Sequence, residues 1–162
     1  MVNLKSLLNV AAAACASAFC ACASAQDFIS NYPVWVNAGL LSYHMDRNQG
    51  YRENNWGFGG ETMFTRNHGM MAGTYLNSEH TRSRYFGYQW RPLHWSTGNG
   101  WSVSAGLSVN AIDGYPGTSS GGWFVAPLPI LAVEYKNFGA NFIAIPHKNG
   151  GAVAVQLKLR VW

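Results

Sequence analysis

The chain has 162 residues, a formal net charge of +4, and only 11% charged residues against 14% aromatic. That length fits a single domain. No window beyond residue 25 holds the roughly 18 consecutive apolar residues of a membrane helix, and no nucleic-acid motif accompanies the basic balance.

In chain order, a short positive start ending at Lys5 leads into an uncharged run from Ser6 to Ala25. The run closes on Ala23-Ser24-Ala25, a small-x-small cleavage pattern, so residues 1–25 are predicted to be a secretory signal cut before Gln26. A lipoprotein would use Cys20 or Cys22, but neither follows a Leu-containing lipobox. Cys15, Cys20 and Cys22 all fall in that leader. The exported 26–162 segment therefore offers no disulfide and no cysteine metal site.

That segment alternates. "WSVSAGLSVNAI" sets Val103, Ala105, Leu107, Val109 and Ala111 against small polar residues. "AVAVQLKLRVW" sets Val153, Val155, Leu157, Leu159 and Val161 against Gln156, Lys158 and Arg160. Period two over about ten residues is the mark of a transmembrane β-strand with one face to lipid. Trp162 ends the chain on the opposite parity from that apolar face. Strands are predicted at 34–45, 55–64, 70–77, 83–94, 101–112, 123–135, 140–146 and 152–161, separated by Gly-, Asn-, Ser- and Asp-rich turns. The expected fold is all-β: an eight-stranded antiparallel transmembrane β-barrel over residues 26–162, in the bacterial outer membrane. A soluble sandwich or lipocalin-like barrel has the same alternation with the faces exchanged.

In bacterial single-chain barrels both termini lie on the periplasmic side. The connections 46–54, 78–82, 113–122 and 147–151 are then extracellular. His44 and Ser78 share that rim, whereas His68 and His94 fall at the periplasmic end. His80 and His147 read as surface residues on extracellular turns.

"SYHMDRNQGYRENNWGFGGE", "YLNSEH", "YFGYQWRPL" and "PLPILAVEYKNFGANFIAIP" together resemble PagP-type lipid A palmitoyltransferases. These are eight-stranded outer-membrane acyltransferases. The resemblance spreads over most of the exported segment in short motifs. It implies a catalytic His at His44 and a catalytic pair at Asn77-Ser78, where the family has Asp-Ser. It places the floor of an acyl pocket at Gly87 and a lateral opening at Pro127, Pro129 and Pro146. Three features depart from the family: Asn77 replaces its Asp, Asn55 replaces a Pro before Trp56, and the segment before the first strand is too short for its amphipathic helix.

Acyl transfer needs a base for the attacking hydroxyl and donors for the oxyanion. His44 is the expected base, and Ser78 the nucleophile or substrate positioner. Asn77 is a candidate oxyanion donor. Asp46 is the first candidate for a carboxylate that orients His44, ahead of Glu53 and Glu79. Arg47, Arg52, Arg82 and Arg84 cluster near the rim and suit the phosphates of a lipid A acceptor. The expected partners are a phospholipid acyl donor, lipid A and outer-membrane lipids. No metal, cofactor or nucleic acid is expected, and the barrel is read as a monomer. The alternatives are a phospholipase, a lipid A deacylase, or a small structural or adhesion barrel.

Overall fold

The structure, a computed structural model, describes residues 32–146 and 150–162. The expected leader at 1–25 and the surface position of His147 lie outside the described residues. Eight strands follow in order: β1 (Val34–His44), β2 (Asn54–Met63), β3 (His68–Leu76), β4 (Arg82–Ser96), β5 (Trp101–Ile112), β6 (Phe124–Tyr135), β7 (Phe138–Ile145) and β8 (Ala152–Arg160). Each pairs antiparallel with its chain neighbour, and β8 pairs with β1 to close the barrel. The predicted strands match these within two residues at either end. Closure leaves no free edge for another strand to extend. No helix among the described residues is long and apolar enough to cross a membrane.

Burial settles which face is which. On β8, Ala152, Ala154, Gln156 and Lys158 are buried, while Val153, Leu157 and Leu159 face outward and are exposed. On β4 the inward set is Ser83, Tyr85, Gly87, Gln89 and Arg91, and Phe86, Tyr88 and Trp90 lie outside. The exterior is therefore the apolar side. Tyr43, Trp56 and Trp123 are exposed near the rim opposite the termini, and Trp95, Trp101 and Trp162 near the terminal end. Two such aromatic girdles flanking an apolar band are how membrane barrels meet both interfaces.

The interior has two halves. Toward the terminal end it is a polar plug. Glu61 of β2, Arg91 of β4, Glu134 of β6 and Lys158 of β8 meet there, one from each even-numbered strand. Lys158 Nζ lies 2.5 Å from Glu61 Oε1 and 2.7 Å from Glu134 Oε1. Arg91 sits 3.9 and 3.8 Å from the same two carboxylates. Asn141 Nδ2 donates to Glu61 Oε2 at 2.5 Å. Two anions and two cations cancel, which is what lets charge persist in a buried position.

Above the plug the interior is apolar and open. Gly59 and Gly73 face each other on β2 and β3. A Cβ on either would fall 2.4 or 2.7 Å from the Tyr85 hydroxyl. These glycines leave room for the inward Tyr85 and for the space beside it.

The wall is uneven around the circumference. β5 and β6 pair along their full length, from Trp101 with Tyr135 to Ile112 with Phe124. β6 and β7 pair only from Tyr135 with Phe138 up to Ile130 with Ile143. Continuing that register would bring Pro129 opposite Ala144 and Pro127 opposite Pro146, and those pairs do not form. The β2–β3 ladder also stops early, at Gly57 with Tyr75. There the seam is closed by side chain and loop: Asn55 Nδ2 donates to the Leu76 carbonyl at 3.0 Å, and the Arg52 N–H to the Ser78 carbonyl at 3.0 Å.

Candidate functional site

A cavity of about 420 Å³ fills the upper half of the barrel. Its size falls in the range of about 300–1,000 Å³ usual for ligand pockets. His44, Ser78 and Tyr115 line its roof, and Leu128 and Ile143 its wall. Outward-facing Val125 and Pro127 line it too, as do Ile145 and Pro146 across the unpaired stretch. The cavity thus runs from the rim to the gap between β6 and β7. The positions predicted for lateral access, Pro127, Pro129 and Pro146, lie along that gap.

The roof is built from three connections laced together. The first holds a 3₁₀ turn at Arg47–Gln49, ending at Gly50 in the left-handed region (φ 65°). The second is the Asn77–Thr81 turn, and the third carries a short helix α1 (Pro116–Ser119). His80 Nε2 meets the Gly50 carbonyl at 3.3 Å, and the Gly117 N–H donates to Glu79 Oε2 at 2.7 Å. His80 is exposed, as expected of a surface residue. His68 and His94 lie at the opposite end of the barrel.

His44 is the last residue of β1 and points into the cavity. Its ring packs tilted against Tyr51, centroids 4.7 Å apart and planes at 36°. Nδ1 is buried and makes no hydrogen bond among the described residues. Among the described residues no carboxylate hydrogen-bonds the ring. Asp46 does not take that part, because β1 ends before it and its side chain caps the 3₁₀ turn. Oδ1 accepts from the Asn48 N–H at 3.1 Å and Oδ2 from Gln49 Nε2 at 3.0 Å. The Gln49 amide, followed by the Asn48 N–H, holds Asp46 below the usual carboxylate range. Glu53 comes closer to His44: its Oε1 accepts the His44 backbone N–H at 3.3 Å and also pairs with Arg47. Arg47 first, then that N–H, holds Glu53 low as well.

Ser78 opens the second turn and lines the cavity roof with Tyr115. Tyr115 in turn meets the Tyr75 hydroxyl at 3.0 Å. Tyr51, Tyr75 and Tyr115 were not among the residues singled out in the sequence. Inward parity on β3, two residues before Asn77, was the one signal available for Tyr75.

Asn77 is fully buried, and its amide is spent on the turn. Nδ2 donates to Thr81 Oγ1, Ser83 Oγ and the Gly114 carbonyl at 2.8, 2.9 and 2.6 Å. Oδ1 accepts the N–H groups of Glu79 and Thr81 at 2.9 and 3.0 Å. The expected oxyanion donor is thus a turn-former that places Ser78. Asn77→Asp is not expected to restore a catalytic carboxylate. It would set an acceptor against the Gly114 carbonyl and lower stability by about 2 kcal/mol, read as a lower denaturation midpoint.

Gly87 does not line the cavity. A Cβ there would fall 2.0 Å from Asn110 Oδ1, so Asn110 fills the hollow that Gly87 leaves and forms the floor with Met71 and Gln156. Asn110 Nδ2 is fixed by Ser108 Oγ at 2.9 Å. The four arginines separate. Arg47 pairs with Glu53 over the Tyr43 ring, and Arg84 binds Asp113 Oδ2 at 2.8 and 2.5 Å while lying over Trp123. Among the described residues, Arg52 and Arg82 have only neutral acceptors, Asn54 O and Thr74 Oγ1. Arg82 and Arg84 project from the outer face of β4, above its aromatic band. No cluster of three or more His, Cys, Asp or Glu able to hold a metal occurs among the described residues.

Comparison with protein-family models and with curated proteins finds no match to this chain.

Proposed function

We propose that this chain is an outer-membrane acyltransferase that moves a palmitoyl-length chain from a glycerophospholipid to lipid A. The observation that carries the reading is one continuous apolar cavity joining the His44–Ser78 rim to an unpaired stretch of wall at Pro127 and Pro146. A structural barrel has no use for such a space. A lipid enzyme needs it, because its substrate chain arrives from the side. The apolar exterior with aromatics at both ends supports membrane insertion. The resemblance to PagP-type palmitoyltransferases supports the reaction, and the periplasmic termini usual in bacterial single-chain barrels support a rim outside the cell.

His44 takes the proton from the attacking hydroxyl. That hydroxyl is either Ser78 or the acceptor's own. The fatty chain lies in the cavity with its end against Asn110 and Met71, and Arg52 and Arg82 are free to meet acceptor phosphates. Mass spectrometry of lipid A tests this in a strain lacking its own palmitoyltransferase and expressing this chain. A palmitate-sized gain, lost in His44→Ala and Ser78→Ala, supports transfer. A folded, inserted barrel that leaves lipid A unchanged but releases fatty acid would make it a phospholipase. Loss of a resident acyl chain from lipid A would make it a deacylase.

Chain length follows from the floor. Gly87→Ala is expected to push Asn110 into the cavity and shift the transferred chain shorter. Asn110→Ala removes the floor and shifts it longer. Product chain lengths measured by mass spectrometry check both, and an unchanged distribution in the pair would remove Asn110 from this role.

A further inference from the structure

Asn77 leaves the proposed reaction short of a donor. Its amide hydrogens are all committed, to Thr81, Ser83 and the Gly114 carbonyl. The cavity roof nevertheless carries a pair of bonded hydroxyls, Tyr75 and Tyr115, on the same cavity as Ser78. Resting on the acyl-transfer reading above, we infer that the Tyr115 hydroxyl is the oxyanion donor at this site, positioned by Tyr75.

The geometry supports the assignment in three ways. Tyr115 and Ser78 both line the roof of the same cavity, so a carbonyl brought to Ser78 comes beside the Tyr115 O–H. The ring is held independently of its hydroxyl, packing edge-on against Phe124 with centroids 5.7 Å apart and planes at 85°. The backbone is fixed by the third connection, where the Tyr115 carbonyl accepts from Thr118, Ser119 and Gly121. A preorganised donor of this kind costs little reorganisation when charge develops. Burial raises the Tyr115 hydroxyl above the ordinary phenol range, so it stays protonated and serves as donor, not base.

The step balances without any further reactant. The attacking hydroxyl forms a C–O bond to the ester carbon as its proton passes to His44. The carbonyl electron pair moves onto oxygen, which accepts the Tyr115 hydrogen bond. The pair then returns, the donor's ester C–O bond breaks, and the imidazolium protonates the departing glycerol oxygen. Tyr115 lends a hydrogen bond throughout and loses no proton.

Purified full-length protein in phospholipid–detergent micelles, with lipid A as acceptor, tests the inference. Tyr115→Phe keeps the ring against Phe124 and removes only the hydroxyl. The expected result is a kcat lowered roughly 10²-fold with KM changed less than about twofold, the signature of a contact made in the transition state. Tyr75→Phe, which removes only a positioning contact, is expected to lower kcat by less. Far-UV circular dichroism should match wild type in both. An unchanged kcat in Tyr115→Phe, or a loss confined to KM, would overturn the donor assignment and leave the acyl-transfer reading standing. Wild-type protein that neither transfers nor hydrolyses acyl chains would overturn both.

Discussion

His44→Asn is expected to lower acyl transfer roughly 10²–10⁴-fold, the range for loss of a general base, while leaving the barrel folded. In the proposed reaction this one ring carries the proton. Its side chain projects into the cavity at the end of β1, braced by Tyr51, and Nδ1 has no partner among the described residues. Asparagine can still hydrogen-bond but cannot take up a proton near neutral pH. The pH profile gives a second readout. A base must be neutral to act, so kcat/KM should fall as pH drops through the imidazole range. Asp46 and Glu53 are both held below the ordinary carboxylate range and stay charged well below that point. Their titration lies on the acid side of the expected limb and does not imitate it. A His44→Asn enzyme with wild-type kcat/KM would end the general-base assignment.

The second large effect concerns the wall. Pro127→Val combined with Pro129→Val is expected to slow transfer from bilayer phospholipid at least about tenfold, equivalent to about 1.4 kcal/mol of barrier. Both prolines pair with β5, opposite Val109 and Leu107, inside a ladder that runs unbroken. A proline tolerated in a paired strand turns its nitrogen away from that partner. The missing donors therefore face β7, where pairing stops at Ile130. Valine supplies the N–H and prefers strand geometry, so the ladder can extend and close the opening. A water-soluble short-chain ester reaching the roof from the aqueous side should be processed much as before. Equal loss on both substrates would mean that the valines damage the site, and no loss on either would mean that lipid takes another route.

What the sequence revealed, and what it hid, follows one physical division. The strands were readable because alternation and turn chemistry are local. The direction of the apolar face on β8 was not, since period two is the same for lipid outside or core inside. Burial of Gln156 and Lys158 with exposure of Leu157 decides it. The unpaired β6–β7 stretch was anticipated through the family resemblance, which placed an opening at Pro127, Pro129 and Pro146, since a proline alone marks a missing donor at a bulge as well as at a gap. Partnerships across the barrel were beyond local reading. Asp46 looked free to face His44, but its side chain binds the turn two and three residues ahead. Gly87 looked like a floor, but whether its hollow stays empty depends on Asn110, in the neighbouring strand. Asn77 looked catalytic beside Ser78, yet its five hydrogen bonds reach as far as Gly114.

The charged plug carries a meaning for how the barrel is assembled. Glu61, Arg91 and Glu134 are threaded into the nascent wall in that order, and at that stage two anions share one cation. Only β8 brings Lys158, which touches both carboxylates. A barrel that tried to close without its final strand, or with that strand slipped by one residue, would trap an uncancelled negative charge in its interior. The interior charges thus balance only when the last strand is in place and in register.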